Sequence, residues 1–298
     1  MKRFALMVPI AAGIMFGTVG IFVRELTGFG MSNSTILFVR ALFAAVMLLV
    51  FLLIYNRNLL KIKMKEFPLF LGTGILGMMG LNLCYNNAIN SLSLSLSAVL
   101  LSSAPVFVVV IAAIIFKEKV TSRKIICIIM VIVGCVFASG LLEVQTGLAV
   151  SAKGIMFGVA AAFFYAMYSI FSRLATDREY HTYTVIFYSV LLIAIVLLPI
   201  ADVGVVTDFV SDDPIKNLLF LCMHGLVTSV LPYMFITLAL LHVEAGRVSI
   251  LASGGEPAAA VIFGILFYGE VPTILMFVGL TITIVALALL CVDKSEKI

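Results

Sequence analysis

Residues 13–17 read Gly13-Ile14-Met15-Phe16-Gly17, and the same five return as Gly154-Ile155-Met156-Phe157-Gly158. Each copy sits in an apolar run long enough to cross a bilayer, which takes about 20 helical residues. A second pair of marks lies further on. Pro105 and Glu118 are 13 residues apart, as are Pro257 and Glu270, and the pairs are offset by 152 in a chain of 298. The chain reads as one unit written twice, over 1–145 and 146–298.

The composition around these marks is that of a membrane protein. Hydrophobic residues make up 63%, charged residues 11%, and the mean hydropathy is +1.24. A soluble domain carries about 25% charged residues, so a soluble enzyme is excluded. Disorder and fibrous repeats are excluded with it. Apolar runs near 4–23, 34–54, 67–88, 92–115, 123–142, 150–172, 182–201, 215–240, 247–268 and 272–292 predict ten spans. The first could be a signal peptide, but the run from Phe4 to Val23 is long for one and carries packing glycines, so it reads as a retained span. Asp213-Pro214 reads as the N-cap and first-turn proline of span eight, and Pro68 and Pro272 mark other starts.

Basic residues set the orientation. With the N-terminus in the cytoplasm, 15 of the 19 Lys and Arg fall inside; only Arg24, Lys153 and Lys216 fall outside, and Arg40 lies within a span. Both termini are then cytoplasmic. No basic stripe or nucleic-acid motif is present, so the net charge of +4 reports topology rather than a nucleic-acid partner. The five cysteines lie in apolar spans without a CxxC and read as packing residues, not as a disulfide framework or metal ligands.

Five spans per half is an odd number, so the second half must lie upside down relative to the first. Inverted repeats are a known construction of secondary transporters; duplication that merely builds a bundle is the plainer alternative. Polar residues at membrane depth seek a cavity or a partner, and helical spacing places them on common faces. These are Asn82, Tyr85 and Asn86 in span three; Ser95 and Ser102 in span four; Tyr165, Tyr168, Ser169 and Ser172 in span six; His224, Thr228 and Pro232 in span eight; and Ser249, Ser253 and Glu256 in span nine. A single Ser or Thr ordinarily bonds the preceding turn's carbonyl, but the agreement of several faces predicts a polar chamber. Spans five and ten are nearly bare and face lipid or a second subunit.

Glu256, near the middle of span nine, is a candidate proton carrier or partner for a substrate ammonium. Arg40 stays charged; its partner is a carbonyl cluster or Glu256. His224 either titrates or packs through a hydrogen bond. Pro257 releases the Ser253 carbonyl beside Glu256, and Pro105 releases Leu101 in the other half, where the preceding residue is Ala104. Tyr233, beside Pro232, can line the same space.

Ala252-Ser253-Gly254-Gly255-Glu256-Pro257, running on to Tyr268-Gly269-Glu270, resembles the signature of the EamA-type transporters of the drug/metabolite transporter superfamily. Pro105 through Lys117-Glu118-Lys119 and Phe38-Val39-Arg40-Ala41 are similar to its first-half motifs. The resemblance covers essentially the whole chain. It implies ten helices as two inverted five-helix repeats around a central cavity, in a bacterial inner membrane, exporting amino acids or related metabolites without a cofactor. It places Arg40, Pro105, Glu118, Glu256, Pro257 and Glu270 at characteristic positions, with Glu118 and Glu270 structural at helix ends. Ala104 departs from the pattern, since many relatives carry Glu there, and the chain has no Trp.

The substrate-binding candidates are thus Asn82, Tyr85, Asn86, Ser102, Tyr165, Tyr168, Ser169, His224, Ser253 and Glu256. A passive facilitator or channel is the second reading. An intramembrane enzyme is the third, and it lacks an HExxH, a GxSxG or a paired acidic cluster within a span.

Overall fold

The computed structural model describes residues 2–117, 120–138, 151–240, 245–271 and 273–291. Hydrocarbon offers a backbone no water to bond, so a spanning chain must close its hydrogen bonds internally. The described residues accordingly form helices and turns without a strand. The first half holds α1 (Lys2–Gly17), α2 (Val19–Gly28), α3 (Asn33–Tyr55), α4 (Phe67–Leu71), α5 (Gly80–Ser91), α6 (Leu94–Leu101), α7 (Ala104–Ile115) and α8 (Ser122–Ala138). The second holds α9 (Ala152–Thr176), α10 (Thr182–Leu197), α11 (Val203–Asp212), α12 (Pro214–Gly225), α13 (Leu231–Leu240), α14 (Ala245–Tyr268) and α15 (Ile274–Cys291). Among the described residues, six helical stretches are long and apolar enough to cross a membrane: Met7–Gly28, Asn33–Tyr55, Met64–Ser91, Leu94–Ile115, Ala152–Thr176 and Pro214–Ile236. The predicted spans five, seven, nine and ten lie on α8, α10, α14 and α15.

Two helices are continued through π-helical turns, Gly72–Met79 between α4 and α5, and Leu226–Val230 between α12 and α13. Shifted by the 152 residues that separate the two prolines, the second falls inside the first. Such wide turns are rare and occur often at functional sites.

Local chemistry sets the ends. Asp213 caps α12 as the sequence predicts, its Oδ1 accepting from the Lys216 amide at 3.3 Å, with Pro214 opening the helix. The acidic stretch around it reads as a loop from sequence, yet it folds into α11. Asp202 caps that helix, and Phe209 anchors it, buried edge-on against Phe29 at 4.9 Å between ring centres.

The two repeated prolines act differently. α6 ends at Leu101 and α7 begins at Ala104, so span four is broken, whereas α14 runs through Pro257 without a break. Each proline lacks the N–H that would hold the carbonyl four residues back. Before Pro105, Ser102 and Ser103 donate to the Ala98 and Leu100 carbonyls at 2.9 and 2.6 Å, offering the backbone another arrangement. At the matching positions stand Gly254 and Gly255, which have no side chain to compete.

Packing follows a rule of exchange. α1 lies against α13 and α14; in the other half α9 lies against α5, α6 and α7. α3 packs on α10 and α12, while α10 packs on α3 and the Gly72–Met79 turn. α6 meets α14, and α8 meets α15. Every one of these contacts maps onto another, or onto itself, when the halves are swapped. The Gly-Ile-Met-Phe-Gly copies make two of them. A Cβ on Gly17 would stand 2.6 Å from Ala259 Cβ on α14, and one on Gly158 would stand 2.6 Å from a Leu100 methyl on α6. α8 and α15 leave Ile129, Ile132, Val278 and Val285 exposed, the bare outward surface that lipid requires.

Gly17→Leu forces the α1–α14 crossing apart. It should destabilise the protein by about 1–3 kcal/mol, read as a lowered thermal midpoint in detergent. Gly28→Ala, with nothing within 4 Å of the new methyl, should leave the midpoint unchanged.

Candidate functional site

Arg40 lies on α3, 4% exposed, and its Nη2 donates to Asn82 Oδ1. Asn82 in turn donates from Nδ2 to the Met78 carbonyl at 2.7 Å, in the π turn just before α5. The partner of Arg40 is therefore an amide from span three, not a carbonyl cluster. Arg40 also lies within electrostatic reach of His224 and Tyr233. His224, on α12, is fully buried and stacks on Phe22 at 4.9 Å with the rings 10° apart. Neither of its ring nitrogens has a hydrogen-bond partner among the described residues. The same is true of Asn86 Oδ1, at a residue only 1% exposed.

Glu256 forms an opposite pole on α14. Tyr85 from α5, Tyr165 from α9 and Tyr233 from α13 all lie within electrostatic reach of its carboxyl group. Tyr165 is 40% exposed although it stands midway along α9, and Glu256 is itself partly exposed. Tyr168 lies a turn from Tyr165, with ring centres 6.4 Å apart, and its hydroxyl is a hydrogen-bond neighbour of Tyr233. Tyr233 rests edge-on against Phe16 at 5.3 Å, within electrostatic reach of both Arg40 and Glu256.

The structure thus gathers Asn82, Tyr85, Tyr165, Tyr168, His224 and Glu256, with Arg40 and Tyr233, from spans two, three, six, eight and nine. The serines behave more plainly. Ser102 donates to Ala98 and Ser169 to Tyr165, each to the carbonyl one turn back, at 2.9 and 3.0 Å. Ser95, in the first turn of α6, donates to Glu270 at 3.3 Å, and Ser102 caps the same helix at its other end. The Ser253 side chain lies outside the described residues, as do Glu118 and Pro272. Glu270 is more than a helix end: its Oε1 accepts the Leu94 amide at 2.8 Å and pairs with Arg24 at 3.0 Å. Sequence reading gave Arg24 no partner, though the count of basic residues sets it apart as one of three against fifteen. It also missed Phe22, which carries no local signal. Among the described residues, no three His, Cys, Asp or Glu side chains form a group able to hold a metal.

A buried guanidinium is costly to strand. Asn82→Leu should remove its partner and destabilise the fold by about 1.5–3 kcal/mol, the worth of a hydrogen bond to a charged group. Thermal unfolding in detergent checks this, and Asn87→Leu, whose amide bonds only its own turn at 2.7 Å, should cost clearly less.

The EamA-like transporter family model matches this chain twice, over residues 3–140 and 152–292. The pseudopaline exporter CntI of Pseudomonas aeruginosa is 26% identical over 286 residues, covering 95% of this chain and 94% of that protein. An uncharacterized transporter of Archaeoglobus fulgidus is 24% identical over 274 residues, 91% of this chain and 90% of that one. The inner membrane transporter YhbE of Escherichia coli is 26% identical over 207 residues, 68% and 64% of the two chains. One solved crystal structure superposes with a TM-score of 0.64 over 97% of this chain and 96% of that one; at 14% identity it shares the fold. With a family model matched across both halves and apolar helices long enough to cross a bilayer, the chain belongs to the EamA-like transporter family and is a multi-pass membrane transporter.

Proposed function

We propose that this transporter exports amino acids or closely related small metabolites by alternating access, with Glu256 carrying the coupling proton. In this reading the ten predicted spans form two inverted repeats, 1–145 and 146–298, around a central chamber. The protein sits in a bacterial inner membrane with both termini in the cytoplasm. The exchange of contacts between the halves supports the inverted arrangement, and the excess of basic residues on one side supports the orientation. The Pseudomonas relative is an exporter by name, and that direction is taken over here.

The substrate class rests on one observation: a fixed cation and a carboxyl group, Arg40 and Glu256, stand apart with Tyr233 within electrostatic reach of both. A solute with a carboxylate and an ammonium bridges such poles. The guanidinium takes the carboxylate, and Glu256 takes the ammonium in one half-cycle and a proton in the other. Tyr85, Asn86, Tyr165, Tyr168 and His224 complete the wall, and Ser102, Ser169 and Ser253 contribute backbone groups and small surfaces. Pro105, Pro257, Glu118 and Glu270 shape the helices that move.

The test is uptake of radiolabelled amino acids into proteoliposomes under an imposed pH gradient. Saturable, gradient-dependent uptake is expected, and analogues lacking either the carboxyl or the amino group should compete poorly. Uptake indifferent to the gradient would remove proton coupling. A steady single-channel conductance would make the protein a channel. Glu256→Gln should insert normally yet lose about 10–100-fold of gradient-driven transport, the equivalent of one charge-assisted contact.

A further inference from the structure

One cluster lies far from this chamber. Arg24, at the end of span one, reaches across to four groups. Its Nη1 pairs with Glu270 Oε1 at 3.0 Å, and its Nη2 donates to the Leu92 carbonyl at 2.9 Å and reaches the Ile89 carbonyl at 3.5 Å. Its guanidinium also lies over the Tyr268 ring, 4.4 Å from the centre. Glu270 completes the knot by accepting the first amide of α6, at Leu94, and the Ser95 hydroxyl. A carboxylate at a helix N-terminus is favoured by the helix dipole.

The placement gives the knot a job. α1, α13 and α14 pack together, and so do α5, α6, α7 and α9. Glu270 follows α14 of the first group, while Leu94 and Ser95 open α6 of the second. Arg24, on α2, which packs chiefly on α5, holds that carboxylate to the Leu92 carbonyl. The knot therefore ties one bundle to the other at a single end, the end that the basic-residue count puts outside. Gly269 makes the reach possible, its φ of +61° turning the chain so that Glu270 folds back, its amide bonding the Gly264 carbonyl at 3.0 Å. At the opposite end Arg173, on span six, lies over Phe116 at 4.3 Å from the ring centre. Phe116 and Tyr268 are 152 residues apart, so an arginine covers an aromatic ring at the matching place in each half.

We propose that Arg24 and Glu270 form the latch of the outer gate: closed here, it must open for a solute to leave on that side. Neither residue touches the solute; both set the position of α14 against α6. The proposal rests on the alternating-access reading, but it is tested without a substrate.

In a background with the five native cysteines replaced, Tyr165→Cys reports access to the chamber and Val271→Cys, at a residue 84% exposed, marks the latch side. Glu270→Gln and, separately, Arg24→Gln should raise maleimide labelling of the Tyr165 position several-fold, from the side that labels Val271→Cys and not from the other. A disulfide between Ser95→Cys and Glu270→Cys should suppress that labelling until it is reduced. Unchanged labelling in both latch variants overturns the proposal. So does a rise from both sides, which marks a loosened bundle, or labelling that ignores the cross-link. Side-specific labelling with no uptake across the amino-acid panel would keep the latch and sink the substrate reading.

Discussion

A guanidinium that never loses its charge, placed inside a bundle of apolar helices, must be met by something. Arg40 is met by Asn82, and Asn82 by the Met78 carbonyl. That chain of contacts joins span two to span three at the point where the π turn gives way to α5. Everything proposed for the chamber depends on it. Were Arg40 neutralised by Glu256, the site would hold no separated charges. Because an amide takes the cation, the carboxyl group on α14 is left to face the tyrosines.

The halves resemble each other in what packs against what and differ in what they do at the centre. Each first span presses its paired glycines onto the other half's fourth span. Each third span carries a π turn. The differences are chemical: Glu256 against Ala104, an unbroken helix at Pro257 against a broken one at Pro105. Ser102 and Ser103, whose hydroxyls bond the Ala98 and Leu100 carbonyls, stand before the broken turn, and Gly254 and Gly255 before the unbroken one. Like packing is thus combined with unlike centres.

Much of this was legible in the sequence for a physical reason. Burial in lipid makes hydropathy a nearly local property, so the apolar runs marked the helices. Asp213-Pro214 marked a start through the geometry of a cap. The common face of Asn82 and Tyr85 followed from helical spacing. What stayed hidden was every feature set by distant partners. Glu270 meets Arg24 across almost the whole chain, and no spacing rule joins them. α11 is short and sits in an acidic stretch whose composition resembles a loop; it is held by Phe29, far away in sequence, as well as by Asn217 and Phe220 of α12. The serines were misleading in the opposite sense. Their spacing suggested a polar wall, while Ser102 and Ser169 bond their own turns.

The wide turns at Gly72–Met79 and Leu226–Val230 have a consequence for the helices that follow them. An α-helix advances about 100° per residue, and one residue absorbed into a wide turn re-aims all that comes after it. Asn82, Tyr85 and Asn86 follow the first such turn, and Tyr233 follows the second. Their bearing on the proposed chamber is therefore an angular setting held by a few hydrogen bonds. A helix that passes a bulge along its length, or irons it out, can rotate its polar side chains without sliding up or down. Two such dials at corresponding places would let the wall of the proposed chamber turn from one charged pole to the other while the bundle keeps its outline in the lipid.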